Sequence, residues 1–240
     1  MPIIGTKLTQ TTVFAHFSRA SYAGQHNHKL DGLGNHMKLA RVKRMMLLAS
    51  VFLLGFVAVF YLVYRPWQLT WGATGDEVNR PMPGDEIVKT PSFNATRAVT
   101  VDASPERIWP WIVQIGYRRA GFYSWDFLDN DRIASANRIM AEYQGLKVGD
   151  VVPLSRDSGA AVAEMEPPRH LLLVFQSDTA ATWAWSLYPI DSNRTRLVTR
   201  LRVRTENFRA QLMLDAFEIV MMRKHLLGIK WRAEHPQQRS

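Results

Sequence analysis

RAVTVDASPERIWPWIVQIGYRRAGFYSWDFL, Arg97–Leu128, is the stretch that decides the fold. It opens with alternation: Ala98, Thr100 and Asp102 against Val99, Val101 and Ala103, the pattern of a short strand with one buried face. Ser104 stands where an N-cap belongs. Pro105 follows at the first helical position, where a missing N–H costs nothing. Residues 106–115 are apolar and carry Trp109 and Trp111. They predict a helix, bent early by Pro110, which cannot donate to the Glu106 carbonyl, and ended by Gly116. An aromatic loop follows, with Tyr117, Gly121, Phe122, Tyr123 and Trp125.

Downstream, Arg132–Met140 has helical spacing (Ile133, Ala136, Ile139, Met140) and predicts a short helix. Five strands are then expected: Val151–Leu154, Ala160–Met165, His170–Gln176, Thr182–Tyr188 and Arg196–Arg204. Turn-forming separators lie between them, among them Asp157–Gly159, Pro167–Pro168, Ser177–Asp178 and Asp191–Asn193. Short strands with short turns argue for an antiparallel meander. Trp183, Trp185 and Leu187 share one face of their strand. Leu197, Thr199, Leu201 and Val203 share one face of the last strand, and Arg196, Val198, Arg200, Arg202 and Arg204 the other. The arginine row suits phosphate or lipid head groups, but a solvated outer face is the reading the pattern favours. Glu206–Glu234 reads as one long helix with a stripe of Met213, Phe217, Val220, Leu227 and Trp231, broken by Lys224, and Pro236 ends it. The fold class is therefore α+β, a curved antiparallel sheet with the C-terminal helix across it.

Upstream, Met45–Tyr64 holds twenty residues without a charge. That length crosses a hydrocarbon core of ~30 Å as a helix. Lys38, Arg41, Lys43 and Arg44 precede it and only Arg65 follows closely, so the positive-inside rule puts the N-terminus in the cytoplasm and the domain on the extracytoplasmic side. A cleaved signal peptide is the rival, but the run is long and no small-x-small site follows. A buried core helix fits poorly with apolar residues on all faces. Residues 1–44 carry +6 of the net charge of +9, so the basic balance belongs to the tail and not to a nucleic-acid-binding domain. The tail has no periodicity and reads as disordered, its His26, His28 and His36 included. Met37 is an alternative start. Residues 65–93 are rich in Pro and Gly and read as a linker or a wrap on the domain surface, the domain itself running over 94–235.

The residues Val99–Trp111, VTVDASPERIWPW, resemble the opening of the START-like superfamily, the polyketide cyclase/dehydrase and lipid-transport (SRPBCC) group. Trp109–Ser124, with Trp71–Thr74 (WGAT) and Pro83–Glu86 (PGDE), is similar to a bacterial membrane-anchored subgroup, over residues 67–235. The resemblance implies a helix-grip fold whose sheet wraps the C-terminal helix around an elongated cavity. Relatives use that cavity for lipids, hormones, polyketides or hydrophobic cofactors. No catalytic residue is carried over.

Chemistry is sparse. The chain has no cysteine, hence no disulfide or thiolate. His170, His225 and His235 lack metal-ligand spacing, so no metal site is expected, and no cofactor. The expected ligand-binding residues are Trp109, Tyr123, Trp125, Trp183, Trp185, Leu201, Met213 and Phe217. The functional reading is a membrane-anchored module binding a lipid or other hydrophobic small molecule. The alternative is a cyclase- or hydratase-like enzyme using Asp126, Tyr123 or His170, with Asn137 nearby. For Asp126 the favoured role is instead to cap the next helix, with Ser124-Trp125-Asp126 preceding it. The remaining option is a scaffold with no ligand.

Overall fold

A computed structural model describes residues 38–176 and 180–235. Residues 1–37 of the tail with its histidines and the start at Met37, the turn at Ser177–Asp178 and Pro236 lie outside these residues; residues 38–44, read with the tail as disordered, are instead the first two turns of a helix. The chain divides into two units, Met1–Phe60 and Tyr61–Ser240. One helix, Lys38–Leu69 (α1), is long and apolar enough to cross a membrane, and its apolar side chains from Met45 to Val59 are exposed.

The elements that follow α1 are α2 (Gly75–Asn79), β1 (Phe93–Val101), α3 (Pro105–Val113), α4 (Asp126–Asp129), a short 3₁₀ turn (Ala141–Tyr143), β2 (Val151–Pro153), β3 (Gly159–Glu166), β4 (His170–Phe175), β5 (Ala180–Pro189), β6 (Thr195–Arg204) and α5 (Phe208–Glu234). All five strands expected after the opening one are present. They form one six-stranded antiparallel sheet in the order β1-β6-β5-β4-β3-β2. The first strand thus pairs with the last, and α3 with its loops carries the chain from one edge to the other. A bulge between Val162 and Glu164 interrupts the β3–β4 ladder, the kind of feature that bends a strand. α5 packs on one face of the sheet and against α3. Antiparallel strands with a long helix gripped on one face make this an α+β, helix-grip architecture.

The inner face is the main core. Trp183 stands opposite Leu201, Trp185 opposite Thr199 and Leu187 opposite Leu197, and all six are buried. The indole of Trp183 donates to Thr199 Oγ1 at 2.9 Å, which in turn donates to the Ala184 carbonyl at 2.9 Å. The outer face departs from expectation. It is not solvated: residues 71–89 are strapped across it. Arg200 is buried and reaches Asp85 at 2.6 Å, Thr96 Oγ1 at 2.8 Å, and the carbonyls of Glu77, Val78 and Arg80 at 2.8–3.0 Å. Arg196 pairs with Glu77 at 2.7 Å, and Arg202 with Asp85 at 3.2 Å and the Val88 carbonyl at 2.7 Å. Only Arg204 of the row is exposed. The physical reason is that the wrap is not polar filler. Thr74 and Glu77 form a capping box that starts α2 and holds Glu77 in place for Arg196. Gly72 (φ 72°) lets the backbone approach so closely that a Cβ there would lie 2.1 Å from the Ala98 carbonyl oxygen. Trp71–Thr74 and Pro83–Glu86 are thus structural: they fasten the strap.

Two helix expectations also change. Arg132–Met140 is irregular, not helical. Asp131 and Arg132 sit at φ 51° and 65°, and side chains hold the segment instead, Asp126 accepting from the Ser135 amide at 3.1 Å and Gln114 from the Met140 amide at 2.9 Å. In α5, the stripe Met213–Phe217–Val220–Leu227–Trp231 is exposed, whereas Asp215, Ile219, Met222, Leu226, Ile229 and Ala233 are buried, the last four in the main core. The two seams are offset by two residues, roughly 200° of rotation. The inner seam tolerates acids because arginines meet them: Arg65 pairs with Asp215 at 2.9 Å and the buried Arg97 with Glu218 at 2.5 Å. Arg97 also donates twice to Gln68, at 2.6 and 2.7 Å. Burial raises Glu218 and lowers Arg97, and each restrains the other.

Candidate functional site: an aromatic cavity around His225

The loop after α3 forms one wall of the site. Tyr123 lies at φ 56°, a left-handed conformation that disfavours a bulky side chain. Its phenol fixes it there, accepting from Gln114 Nε2 at 2.9 Å and donating to the Trp111 carbonyl at 3.1 Å. The loop then presses on α5 at Gly228, where a Cβ would lie 2.4 Å from the Tyr123 carbonyl oxygen. Glycine costs about 1 kcal/mol in a helix, and here it permits this contact. Ser124 Oγ completes the join, donating to the Met221 carbonyl at 3.0 Å.

Between this loop, β5 and α5 lies a cavity of about 210 Å³. Its walls are Phe122, Ser124, Asp129, Leu154, Trp183, Met221, Met222 and His225. His225 is the centre of an aromatic cluster. Its ring centroid lies 5.0 Å from Trp185, 5.6 Å from Trp183 and 6.1 Å from both Phe122 and Tyr123. Burial, aided by the cation of Arg232, lowers its pKa to about 3, so the ring is neutral at physiological pH. The Phe122 backbone favours the protonated ring. Its Nε2 is buried and has no partner among the described residues. The buried Trp185 Nε1–H and Asp129 Oδ1 are also without partners. Burial, with Asp126 nearby, raises Asp129 to about 6.

This geometry can hold a small apolar body and meet a hydrogen-bonding group. It is poorly suited to base catalysis by His225, since a pKa near 3 is far below the working range of a general base. The sequence candidates are dispersed. Trp183 lines the cavity, Trp185 stacks behind His225, and Leu201 is core. Trp109 is half-buried against the core. Tyr123 is in the cluster, but its phenol is fully bonded and burial raises its pKa. Trp125, Met213 and Phe217 are exposed. Asp126 neither lines the cavity nor caps α4: it clasps Ser135, its Oδ1 accepting from Oγ at 2.5 Å. His170 sits against Glu164 at 2.8 Å at the start of β4, beside a separate cleft, and Asn137 is exposed. The three enzyme candidates do not converge. Among the described residues no group of His, Asp and Glu is placed to hold a metal.

Metal-ligand spacing does not single out His225. The usable signal was its place one residue before Leu226 on the inner seam, three beyond Met222.

The chain matches no protein-family model and no curated protein. Among solved structures it is similar to the Aha1 dimer of Colwellia psychrerythraea, 14% identical over 60% of this chain and 98% of that one, TM-score 0.42. It is similar to CalC, a self-sacrificing resistance protein of Micromonospora echinospora, 9% identical over 60% and 97%, TM-score 0.42. It is also similar to a Polyketide_cyc-like protein of Corynebacterium glutamicum, 14% identical over 61% and 97%, TM-score 0.33. Likenesses at this level carry no conclusion about ligand or activity.

Proposed function

We propose that this chain is a membrane-anchored helix-grip domain that binds a small hydrophobic molecule bearing a hydrogen-bonding group. The observation that carries the reading is the largely apolar cavity against His225, where Nε2 of His225 and Oδ1 of Asp129 have no partner among the described residues. Buried polar atoms are nearly always bonded, and leaving one unmade costs about 1–3 kcal/mol. A ligand hydroxyl or amide that hydrogen-bonds to Nε2, as donor or acceptor according to the ring's tautomer, removes that cost. The cavity falls below the ~300–1,000 Å³ of drug-sized sites. The ligand is therefore a single-ring or short-chain molecule, and a two-chain lipid does not fit inside. The uncovered apolar face of α1 supports the anchor, and Lys38, Arg41, Lys43 and Arg44 against Arg65 alone support a cytoplasmic N-terminus with the domain outside.

Native mass spectrometry of the full chain extracted from membranes tests the reading. A co-purifying small mass is expected, and Met222→Trp, which fills the cavity, should abolish it. Full-chain protein that carries no such mass in any extract sinks the proposal.

A further inference from the structure

The outward seam of α5 has no cover among the described residues. Met213 is 58% exposed, Phe217 56% and Trp231 52%. Beside it, Phe127 and Leu128 are exposed on α4. Trp125 joins the two, with Lys224 Nζ 3.6 Å from the centre of its ring. This face is joined to the end of the apolar run in α1. The Tyr64 hydroxyl donates to the Ala216 carbonyl at 2.5 Å and Arg65 pairs with Asp215. Ala216 and Phe217 are consecutive, so the last residue of the uncharged run is bonded beside the seam. Between them lies a groove of about 400 Å³ lined by Tyr64, Trp67, Trp125, Val220, Arg223 and Leu227.

Charge is sorted as well. The acids of α5 are engaged, Asp215 by Arg65, Glu218 by Arg97 and Glu234 by Lys230. The cations beside the seam are Arg209, Arg223 and Lys224, of which Arg209 and Arg223 are exposed. An apolar helix face with aromatic residues and flanking Lys/Arg is the composition that lies in the plane of an anionic bilayer surface.

We propose that the outer face of α5, with Trp125, Phe127 and Leu128, docks on the bilayer that α1 crosses, its apolar side chains at the boundary between head groups and acyl chains and its cations on anionic head groups. The proposal rests on the reading that residues 45–64 span that bilayer. The tether makes docking intramolecular, so an affinity that is marginal for a free helix suffices. A second copy pairing along the seam is the rival occupant, since 213, 217, 220, 224, 227 and 231 follow a 3.5-residue repeat. The bilayer is favoured because the patch widens beyond that seam at Trp125, Phe127 and Leu128. Asp129 of the cavity wall follows directly on Leu128, which places the mouth of the cavity beside the docked face.

The chain has no cysteine, so single labels are clean. The full chain carrying Leu53→Cys, Phe217→Cys or Ser192→Cys, each with a nitroxide, is reconstituted in vesicles of phosphatidylcholine and phosphatidylglycerol. Collision rates with oxygen and with a water-soluble nickel chelate are compared. The expected result is oxygen dominance at 53 and 217 and nickel dominance at 192. Oxygen dominance at 53 with nickel dominance at 217 overturns docking and leaves the anchor standing. Nickel dominance at 53 overturns both. A label at 217 shielded from both reagents indicates a second copy and overturns the proposal.

Discussion

The two faces of one sheet are covered in opposite ways. On the outer face the arginines of β6 are saturated: Arg200 alone contacts one carboxylate, one hydroxyl and three carbonyls of the strap and β1. On the inner face α5 brings a neutral histidine among tryptophans and leaves Nε2 of His225 and Nε1 of Trp185 without partners. A charge-rich face with every group satisfied is architecture. An aromatic cluster beside a void, with polar atoms that have no partner among the described residues, is where a ligand has something to gain.

The sharpest way to break this contrast is Arg200→Met. It leaves Asp85 with Arg202 as its one cation, beside the Met82 amide, and strips the carbonyls of Glu77, Val78 and Arg80 of this donor. Uncompensated buried partners cost about 3–5 kcal/mol. Chemical denaturation of the full chain in detergent should show a loss of that size, and the folded fraction should still carry the co-purifying mass. A loss under about 1 kcal/mol would mean the strap is not structural.

Acid stability sharpens the inner side. His225 titrates at about 3 when folded and near 6.5 unfolded. Above the unfolded value neither state holds the proton, and there is no effect. As pH falls below it the unfolded chain binds the proton and the folded chain does not, so stability is lost until about pH 3. Between pH 7 and pH 5 this amounts to about 2 kcal/mol. His225→Phe should remove that loss from a pH series of denaturation curves. Asp129 acts in the other direction. Its folded pKa of about 6 lies above its ordinary value, so the cost of ionising it in the folded state builds up as pH rises from about 4 to about 6. Discounted for solvent access, Asp129→Asn should stabilise the chain by about 1 kcal/mol at pH 7 and by nothing at pH 3.

Strand pattern and register-bearing faces were legible because period-two alternation is local: Trp183, Trp185, Leu197 and Leu201 point where their spacing says. The strap was not legible. Nothing local to Arg196, Arg200 and Arg202 says that a carboxylate more than a hundred residues upstream will meet them. The buried side of α5 was obscured for the same reason, since Asp215 and Glu218 look like surface residues until Arg65 and Arg97 are in place. The cavity inherits that error: Met213 and Phe217 were chosen from the outward seam, and His225 from the inward seam was missed.

The smallest expected effect tests which seam is which. Phe217 and Ile219 are two residues apart on α5, one exposed and one buried. Phe217→Ser in detergent-solubilised full chain should change unfolding stability by no more than about 0.5 kcal/mol, as surface substitutions do. Ile219→Ser removes buried methyl groups and places a hydroxyl beside the core, and should cost about 2–5 kcal/mol. Equal losses at the two positions would mean that the helix grips the sheet through the seam the sequence suggests, and that the aromatic cavity around His225 is wrongly placed.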